Sequence, residues 1–218
     1  ALRDATGDVV AFVDDDAVPE PGWVDALCAN FGDPRVQCVT GLTLPLELET
    51  PAQELFEAYS PFARGFARRV FDGRLDNPVA VARVGAGANM AVRRSVRDTV
   101  GGFDERLDAG TPTRSGGDHD FFVRLLLDGW RIVYEPAAVC WHRHRRTDAE
   151  VVETIRGYGT GVWAMWIGLL IHRREFSVLR LAWAWFRTDH LPVLLRPRRL
   201  LSRRGADRLR RAELLGCL

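Results

Sequence analysis

The pattern of hydrophobic and polar positions alternates between short apolar runs and longer stretches with apolar residues at helical spacing. The valine-rich run at 9–13 is apolar at every position, which predicts a buried strand of a parallel sheet. Further strands are predicted at residues 37–46, 80–87, 89–92, 131–134 and 138–141. Helices are predicted at residues 23–31, 51–70, 94–100 and 118–127, and another should open at the capping box of Thr147 and Glu150. This alternation predicts an α/β fold with a partly parallel sheet.

The composition is that of a globular protein, since 47% of the 218 residues are hydrophobic and 27% are charged, and it excludes a disordered chain. The formal net charge of +1 conceals an uneven distribution. Acidic residues dominate at 14–16 and 47–57, whereas the segment after His172 is rich in arginine. The cysteines form no C-x-x-C pair and no secretory signal opens the sequence, so we expect a reducing, cytoplasmic location.

Three consecutive aspartates, Asp14, Asp15 and Asp16, follow the first strand where it meets a loop. In open α/β sheets, ligands bind at the carboxyl ends of strands. If the extended geometry continues, Asp14 and Asp16 project to the same side and offer a grip of two carboxylates. Such hard oxygen ligands suit Mg²⁺ or Mn²⁺. The alternative is a solvated acidic turn with capping roles.

Four stretches in order resemble glycosyltransferases of family 2, which have the GT-A fold. The first is the D-x-D segment at 7–23 (GDVVAFVDDDAVPEPGW). The second joins 87–94 (GANMAVRR) to 100–105 (VGGFDE), and the third joins 117–124 (GDHDFFVR) to 129–136 (GWRIVYEP). The fourth is the histidine segment at 141–145 (WHRHR). The resemblance implies a GT-A-like mixed sheet flanked by helices.

The resemblance also implies roles for the aspartates and histidines. Asp14 would touch the nucleotide, Asp15 is a second candidate for that contact, and Asp16 would bind the metal, Mg²⁺ or Mn²⁺. A histidine of the closing segment would complete the coordination, with His142 as the first choice and His144 as the second. The competing interpretation is a pair of surface histidines flanked by arginines.

Asp118 matches the catalytic base of the family, which takes a proton from the acceptor hydroxyl as it attacks the anomeric carbon. Direct displacement of this kind inverts the configuration. The rival interpretation is structural, because Ser115 and Asp118 have the spacing of a capping box. The sequence also departs from the family, which commonly has glutamate where Gly117 stands. Asp120, which lies four residues before Arg124, is expected to form only a supporting ion pair.

The glycine-rich bend before residue 90 gives two further candidates for donor binding. Gly87 would let the backbone approach the sugar, and Asn89 would offer a side-chain hydrogen bond. A tight turn without any ligand explains the same residues equally well. The bend is not a dinucleotide fingerprint, because no helix opens there with that spacing.

The sequence divides into a catalytic domain at 1–157 and a helical, tryptophan- and arginine-rich segment at 158–218. Tryptophans followed by arginines suit a helix in a membrane interface, which would place the protein at the inner face of the cell membrane. The alternative is a helical subdomain that packs on the catalytic sheet. We expect no nucleic acid partner, because no nucleic-acid-reading motif accompanies the arginines.

The function expected from the resemblance is inverting transfer of a sugar from a nucleotide-diphosphate donor to a hydroxyl of a glycan or lipid-linked acceptor in cell-envelope synthesis. The strand at 9–13 follows the first residue so closely that we expect a nucleotide-binding half to precede this segment, and we expect the segment alone to be weakly active or inactive. One alternative is a non-catalytic relative that binds partners or membrane. Another is a nucleotidyltransferase, against which the Asp118 helix and the histidine segment argue.

Overall fold

A six-stranded mixed sheet forms the centre of the computed structural model, which describes residues 2–195 and 205–217. The strands are β1 Val9–Val13, β2 Ala17–Pro19, β3 Val36–Pro45, β4 Arg69–Asp72, β5 Asn89–Arg93 and β6 Arg131–His142. Their order is β1-β5-β3-β6-β2, and β4 also pairs with β6. Only β3 and β6 run parallel to each other, while the remaining pairs are antiparallel. The predicted α/β class with a partly parallel sheet is confirmed.

The described residues fall into two compact units. The first comprises residues 2–47, 61–103 and 118–144, and it holds the whole sheet. Its helices are α1 Trp23–Cys28, α3 Val96–Thr99 and α4 Gly117–Leu127, the last of which begins at the boundary of the unit. Its core includes the inner face of α1, with Trp23 and Leu27 packed on β3 and β6 residues such as Val39 and Val133.

The second unit comprises residues 48–60, 104–117 and 145–217 as far as they are described. Its helices are α2 Pro51–Tyr59, α5 Asp148–Arg173, α6 Ser177–Trp185, α7 Leu191–Leu194 and α8 Gly205–Gly216, with a π-helical turn at Phe186–His190. Thr147 and Glu150 form the predicted capping box of α5. The backbones of α5 and α8 touch, because a Cβ on Gly159 would overlap the carbonyl oxygen of Glu213. The division at residue 158 stays a prediction.

The prediction of a buried parallel strand at 9–13 is wrong. β1 pairs antiparallel with β5 and lies at the end of the described sheet order. Its burial is therefore partial, and Val13 is 42% exposed. An apolar sequence indicates that a strand tends to be buried. The order of strands in the sheet decides which neighbouring elements cover it.

Four other predicted elements differ from the structure. The helix predicted at 51–70 ends at Tyr59, because Pro61 restricts the residue before it and cannot donate a helical hydrogen bond. The strand predicted at 80–87 is instead a short 3₁₀ turn at Val81–Arg83. The two strands predicted around Pro136 are one strand, β6, whose ladder with β3 passes from Glu135 directly to Val139. The residues between them bulge out of the ladder, and this accommodates the proline.

Candidate metal centre and active site

A tight turn, not a continued strand, brings the aspartates together. The backbone N–H of Ala17 donates to the carbonyl oxygen of Asp14 at 3.1 Å, so the chain reverses between β1 and β2. β2 then pairs with the end of β6, where Ala17 lies opposite His142. The backbone N–H of Arg143 donates to the carbonyl oxygen of Asp16 at 3.0 Å and extends this ladder. The predicted pairing of Asp14 with Asp16 therefore arises from a turn, and the assumption of extended geometry was wrong.

Asp14, Asp16 and His142 form a group in which one potential ligand atom of each residue lies within 4.8 Å of the others. The Nε2 atom of His142 lies 3.1 Å from Oδ1 of Asp16 and 3.8 Å from Oδ2 of Asp14. The side chain of Asp14 is 52% exposed, that of Asp16 is 27% exposed and that of His142 is 10% exposed. We call these three residues the aspartate–histidine site. Two partly exposed carboxylates beside a buried imidazole suit a small divalent cation such as Mn²⁺.

Phe62 positions the histidine segment. Its ring packs edge-on against His142 with the ring centroids 4.9 Å apart, and against His144 at 5.8 Å. Both histidines are buried, so neither is the surface residue of the competing interpretation. Within the described residues, His144 does not join the group that Asp14, Asp16 and His142 form. The neighbouring Asp15 is exposed in the turn. Any part of His144 or Asp15 in binding stays a prediction.

Asp118 lies in the first turn of α4 and holds the glycine-rich bend. Its Oδ2 atom accepts the backbone N–H of Gly87 at 2.9 Å, and its Oδ1 atom accepts the N–H of His119 at 2.7 Å. A Cβ at Gly87 would lie 2.9 Å from the Cβ of Asp118, so glycine permits this close approach. The bond to His119 satisfies one backbone N–H in the first turn of α4, as a structural role for Asp118 would also require. The same contacts fix the carboxylate in one orientation.

The aspartate–histidine site and Asp118 belong to the same end of the sheet. Asn89, at the start of β5, lies opposite Val13, at the end of β1. Asp14 follows Val13 directly, and Gly87, which holds the Asp118 carboxylate, precedes Asn89 by two residues. A ligand at this end of β1 and β5 would therefore meet both acidic groups.

Asn89 has a structural role that the sequence did not reveal. Its side chain is fully buried, its Nδ2 donates to the carbonyl oxygens of Leu42 and Ala138 at 3.1 and 2.9 Å, and its Oδ1 accepts the indole N–H of Trp23 at 2.7 Å. These bonds tie the β6 bulge to β3 and to α1. Because they occupy the amide at both ends, they do not favour the predicted contact of Asn89 with the donor sugar.

Other side chains near Asp118 support the fold around it. Arg124 donates to Asp120 at 2.8 Å, which confirms the predicted supporting ion pair. Arg124 also donates to the carbonyl oxygens of Val100 and Gly102 at 3.0 and 2.8 Å, and thereby anchors the loop before residue 104 to α4. The hydrogen bonds of Arg124 to this loop could not be predicted from sequence, since every residue type supplies a backbone carbonyl.

The pKa values of two cysteines in the sheet are raised by burial and by the negative charge of the site. Burial raises the pKa of the Cys140 thiol to about 11, and the nearby charge of Asp14 adds to the effect. Burial likewise raises the pKa of Cys38 far above its ordinary value, with a further contribution from the charge of Asp118. These thiols stay protonated and are not candidates for nucleophiles or metal ligands.

The family model described as glycosyltransferase like family 2 matches residues 1–160. The chain belongs to this family. The GT-A-like α/β fold and the family that the four sequence stretches implied are therefore confirmed.

The pre-mycofactocin glycosyltransferase of two Mycobacterium tuberculosis strains is 34% identical over 149 residues, which cover 66% of this family 2 chain and 28% of that protein. The glucosyl-dolichyl phosphate glucuronosyltransferase of Haloferax volcanii is 32% identical over 147 residues, with 63% and 44% covered. The chain thus spans less than half the length of either relative. A crystal structure of a mycobacterial protein is similar at 23% sequence identity and a TM-score of 0.40, and the matched region covers 74% of this chain and 48% of that protein's chain. This likeness carries no argument about function.

Proposed function

We propose that this family 2 glycosyltransferase site transfers a sugar from a nucleotide-diphosphate donor to a hydroxyl acceptor with inversion at the anomeric carbon. The observation that carries the proposal is the convergence of Asp14, Asp16 and His142 at the end of the sheet that also holds Asp118. The names of both relatives as glycosyltransferases support it.

The aspartate–histidine site would hold the donor diphosphate through Mg²⁺ or Mn²⁺, with Asp16 and His142 as ligands and Asp14 turned toward the nucleotide. When bound, such a cation stabilises the negative charge that develops on the departing nucleoside diphosphate. The mixed oxygen and nitrogen donors of the site suit Mn²⁺ particularly well. Asp14, the most exposed member, keeps one side open to solvent, as a bound diphosphate requires.

Asp118 would act as the general base. Its two hydrogen bonds from Gly87 and His119 fix the carboxylate, so the proton of an incoming hydroxyl meets an acceptor that is already oriented. Attack from the face opposite the leaving group produces inversion. Gly87 would act here through Asp118 and would leave space for the sugar.

The acceptor would be a glycan or a lipid-linked hydroxyl. One relative is named for a glucosyl-dolichyl phosphate, which is a sugar carried on a lipid phosphate. Acceptor choice depends on loops around the site, and we therefore assign the acceptor class and not a single compound.

The substitution Asp118→Asn tests the base assignment. Asparagine can still accept the N–H of Gly87 through its Oδ1 but cannot take a proton, so we expect the turnover rate to fall by about 100-fold or more while donor affinity is retained. Release of nucleoside diphosphate from a panel of sugar nucleotides, with Mn²⁺ and with glycan and polyprenyl-phosphate acceptors, measures the rate. Analysis of the product's anomeric configuration measures inversion.

The matched control is Asp98→Asn, which removes an exposed carboxylate on α3 that pairs with Arg97. Its turnover should equal that of the unaltered protein. Equal rates for the Asp118 variant and the control would remove Asp118 from the chemistry. A retained anomeric configuration would contradict direct displacement. No release from any donor, by this chain or by a longer protein that contains it, would contradict the transferase itself.

A further inference from the structure

The second unit exposes large apolar side chains on one face of a helix. Phe176, Leu179 and Trp183 are 64%, 55% and 61% exposed. They recur at intervals of three and four residues, which places them on one face of α6 and the turn before it. The opposite face is occupied, since Val178 is buried and Trp185 packs edge-on against Trp166 with the ring centroids 5.6 Å apart. The exposed face is therefore not one that packs on its own unit.

Arginines share this face. Arg180 stands four residues after Phe176, Arg187 stands four residues after Trp183, and both are exposed. Within the described part of the chain, neither forms an ion pair with an acidic residue. We call Phe176, Leu179, Arg180, Trp183 and Arg187 the α6 stripe. Aromatic and aliphatic side chains that alternate with arginine are the combination that suits the boundary between lipid headgroups and acyl chains.

The helix that carries the stripe is too short to cross a bilayer. At nine residues, α6 is only about 14 Å long, far less than the hydrocarbon thickness. No helix in the described ranges is both long and apolar enough to span a membrane. The ring of Trp183 stacks on Phe186 at 6.1 Å, which broadens the apolar surface. Residues 196–204, whose sequence RPRRLLSRR adds five arginines, lie outside the described residues.

Charge decides between occupants of the stripe. Two copies of this chain that met through the same stripe would bring Arg180 and Arg187 of each copy together, which disfavours self-association. A nucleic acid would satisfy the arginines but would leave Leu179 and Phe176 in water. An anionic lipid surface satisfies both kinds of side chain at once.

We propose that the α6 stripe docks the protein on the surface of a bilayer that contains anionic phospholipids. Phe176, Leu179 and Trp183 enter the boundary between headgroups and acyl chains. Arg180 and Arg187 contact lipid phosphates. The inference goes beyond the proposed sugar transfer and is independent of it, because docking needs neither donor nor acceptor.

Co-sedimentation with vesicles tests the proposal on the full chain. Vesicles of phosphatidylcholine with about 30% phosphatidylglycerol have a clearly anionic surface and should bind the protein. Vesicles of pure phosphatidylcholine should bind it much less. The double variant Phe176→Gln with Leu179→Gln should weaken binding to anionic vesicles by about 100-fold, since each of the two lost apolar contacts costs on the order of a factor of ten. Arg180→Gln with Arg187→Gln should remove most of the preference for anionic lipid.

The control is a matched double variant in the first unit, Phe66→Gln with Leu75→Gln, at side chains that are 81% and 84% exposed. It makes the same chemical change outside the stripe and should bind vesicles as the unaltered protein does. Circular dichroism checks that all three double variants are folded, as exposed positions should allow.

The proposal is overturned if anionic vesicles do not bind the unaltered protein. It is also overturned if the variant Phe176→Gln with Leu179→Gln binds these vesicles as tightly as the control variant does. Loss of self-association in the stripe variant, measured by sedimentation velocity, with vesicle binding unchanged would identify a protein interface instead. If RNA displaces the protein from vesicles and no other competitor does, the stripe is a nucleic-acid-binding surface. None of these results bears on sugar transfer, so failure here is distinguishable from failure of the transferase proposal.

Discussion

The two ends of β6 carry charge in contrasting ways. At its first residue, Arg131 donates to Asp72 and to Asp33 at 2.8 Å each, and Arg35 donates to the same Asp72 at 2.7 and 2.9 Å. We call these four residues the arginine cluster. At the last residue of the strand, on the order of 30 Å away by strand rise, His142 meets Asp14 and Asp16.

The difference lies in how each carboxylate meets positive charge. Hydrogen bonds from Arg35, from the backbone of Arg74 and from Arg131 hold the pKa of Asp72 well below its usual range, and the side chain is only 7% exposed. The arginine cluster therefore locks the starts of β3 and β6 to the end of β4. At the other end, exposed oxygens converge with an imidazole on a common point. The first arrangement stabilises the sheet, and the second suits a cation that arrives from solution.

The largest expected contrast is in thermal stability. Asp72→Asn should lower the melting temperature by several degrees, because it deprives two arginines of their shared carboxylate. Asp16→Asn should leave the melting temperature unchanged or raise it, because it removes one of two neighbouring carboxylates. Differential scanning calorimetry without added metal compares the two variants. If the Asp16 variant were the less stable one, the contrast between the two ends would be wrong.

Acid sharpens the same contrast. The folded pKa of Asp72 lies below its ordinary value of 3.8, so its contribution to stability is fully present above that pH and is lost as the pH falls toward the folded pKa. The calorimetric comparison should therefore show a stability difference between Asp72→Asn and the unaltered protein that shrinks below about pH 4. A constant difference would mean that packing, not charge, accounts for it.

A carboxyl group in the second unit shows a third outcome and a smaller expected effect. Glu213 accepts a hydrogen bond from the Tyr59 hydroxyl at 2.8 Å, and burial raises its pKa from 4.5 to about 7. Because the folded pKa exceeds the unfolded one, stability should fall as the pH rises from about 4.5 to about 7, by at most about 3 kcal/mol. Glu213→Gln keeps an acceptor for Tyr59 and should remove this slope. Urea unfolding at several pH values measures it, and an unchanged slope would assign it to other groups.

The candidate metal ligands could be predicted from sequence, partly from their place after a strand and partly from the resemblance to family 2 glycosyltransferases. Asp14 and Asp16 follow an apolar run, and His142 lies in the segment at 141–145 that resembles the histidine segment of the family. Their geometry could not be predicted, since it depends on a turn and on the pairing of β2 with β6. The burial of β1 was mispredicted for a related reason, because exposure is set by neighbouring strands and not by the composition of the strand itself.

Structural roles that depend on contacts between residues far apart in the sequence could not be predicted. Asn89 depends on Trp23 and Ala138, which lie 66 and 49 residues away, and Phe62 matters only because it packs on the histidine segment. The helix end near Pro61 is a different case. The proline was a visible stop signal, but the apolar periodicity that continues to Phe66 outweighed it in the prediction.

Calorimetric titration with Mn²⁺ tests the central claim most directly. In the presence of a nucleoside diphosphate, the protein should bind Mn²⁺, and both Asp16→Asn and His142→Asn should weaken that binding by about tenfold or more, since each removes one ligand. The control Asp98→Asn should bind as the unaltered protein does. Absence of Mn²⁺ and Mg²⁺ binding to the unaltered protein with sugar nucleotide present, or equal affinity in the Asp16 and His142 variants, would contradict the assignment of the aspartate–histidine site as a metal centre.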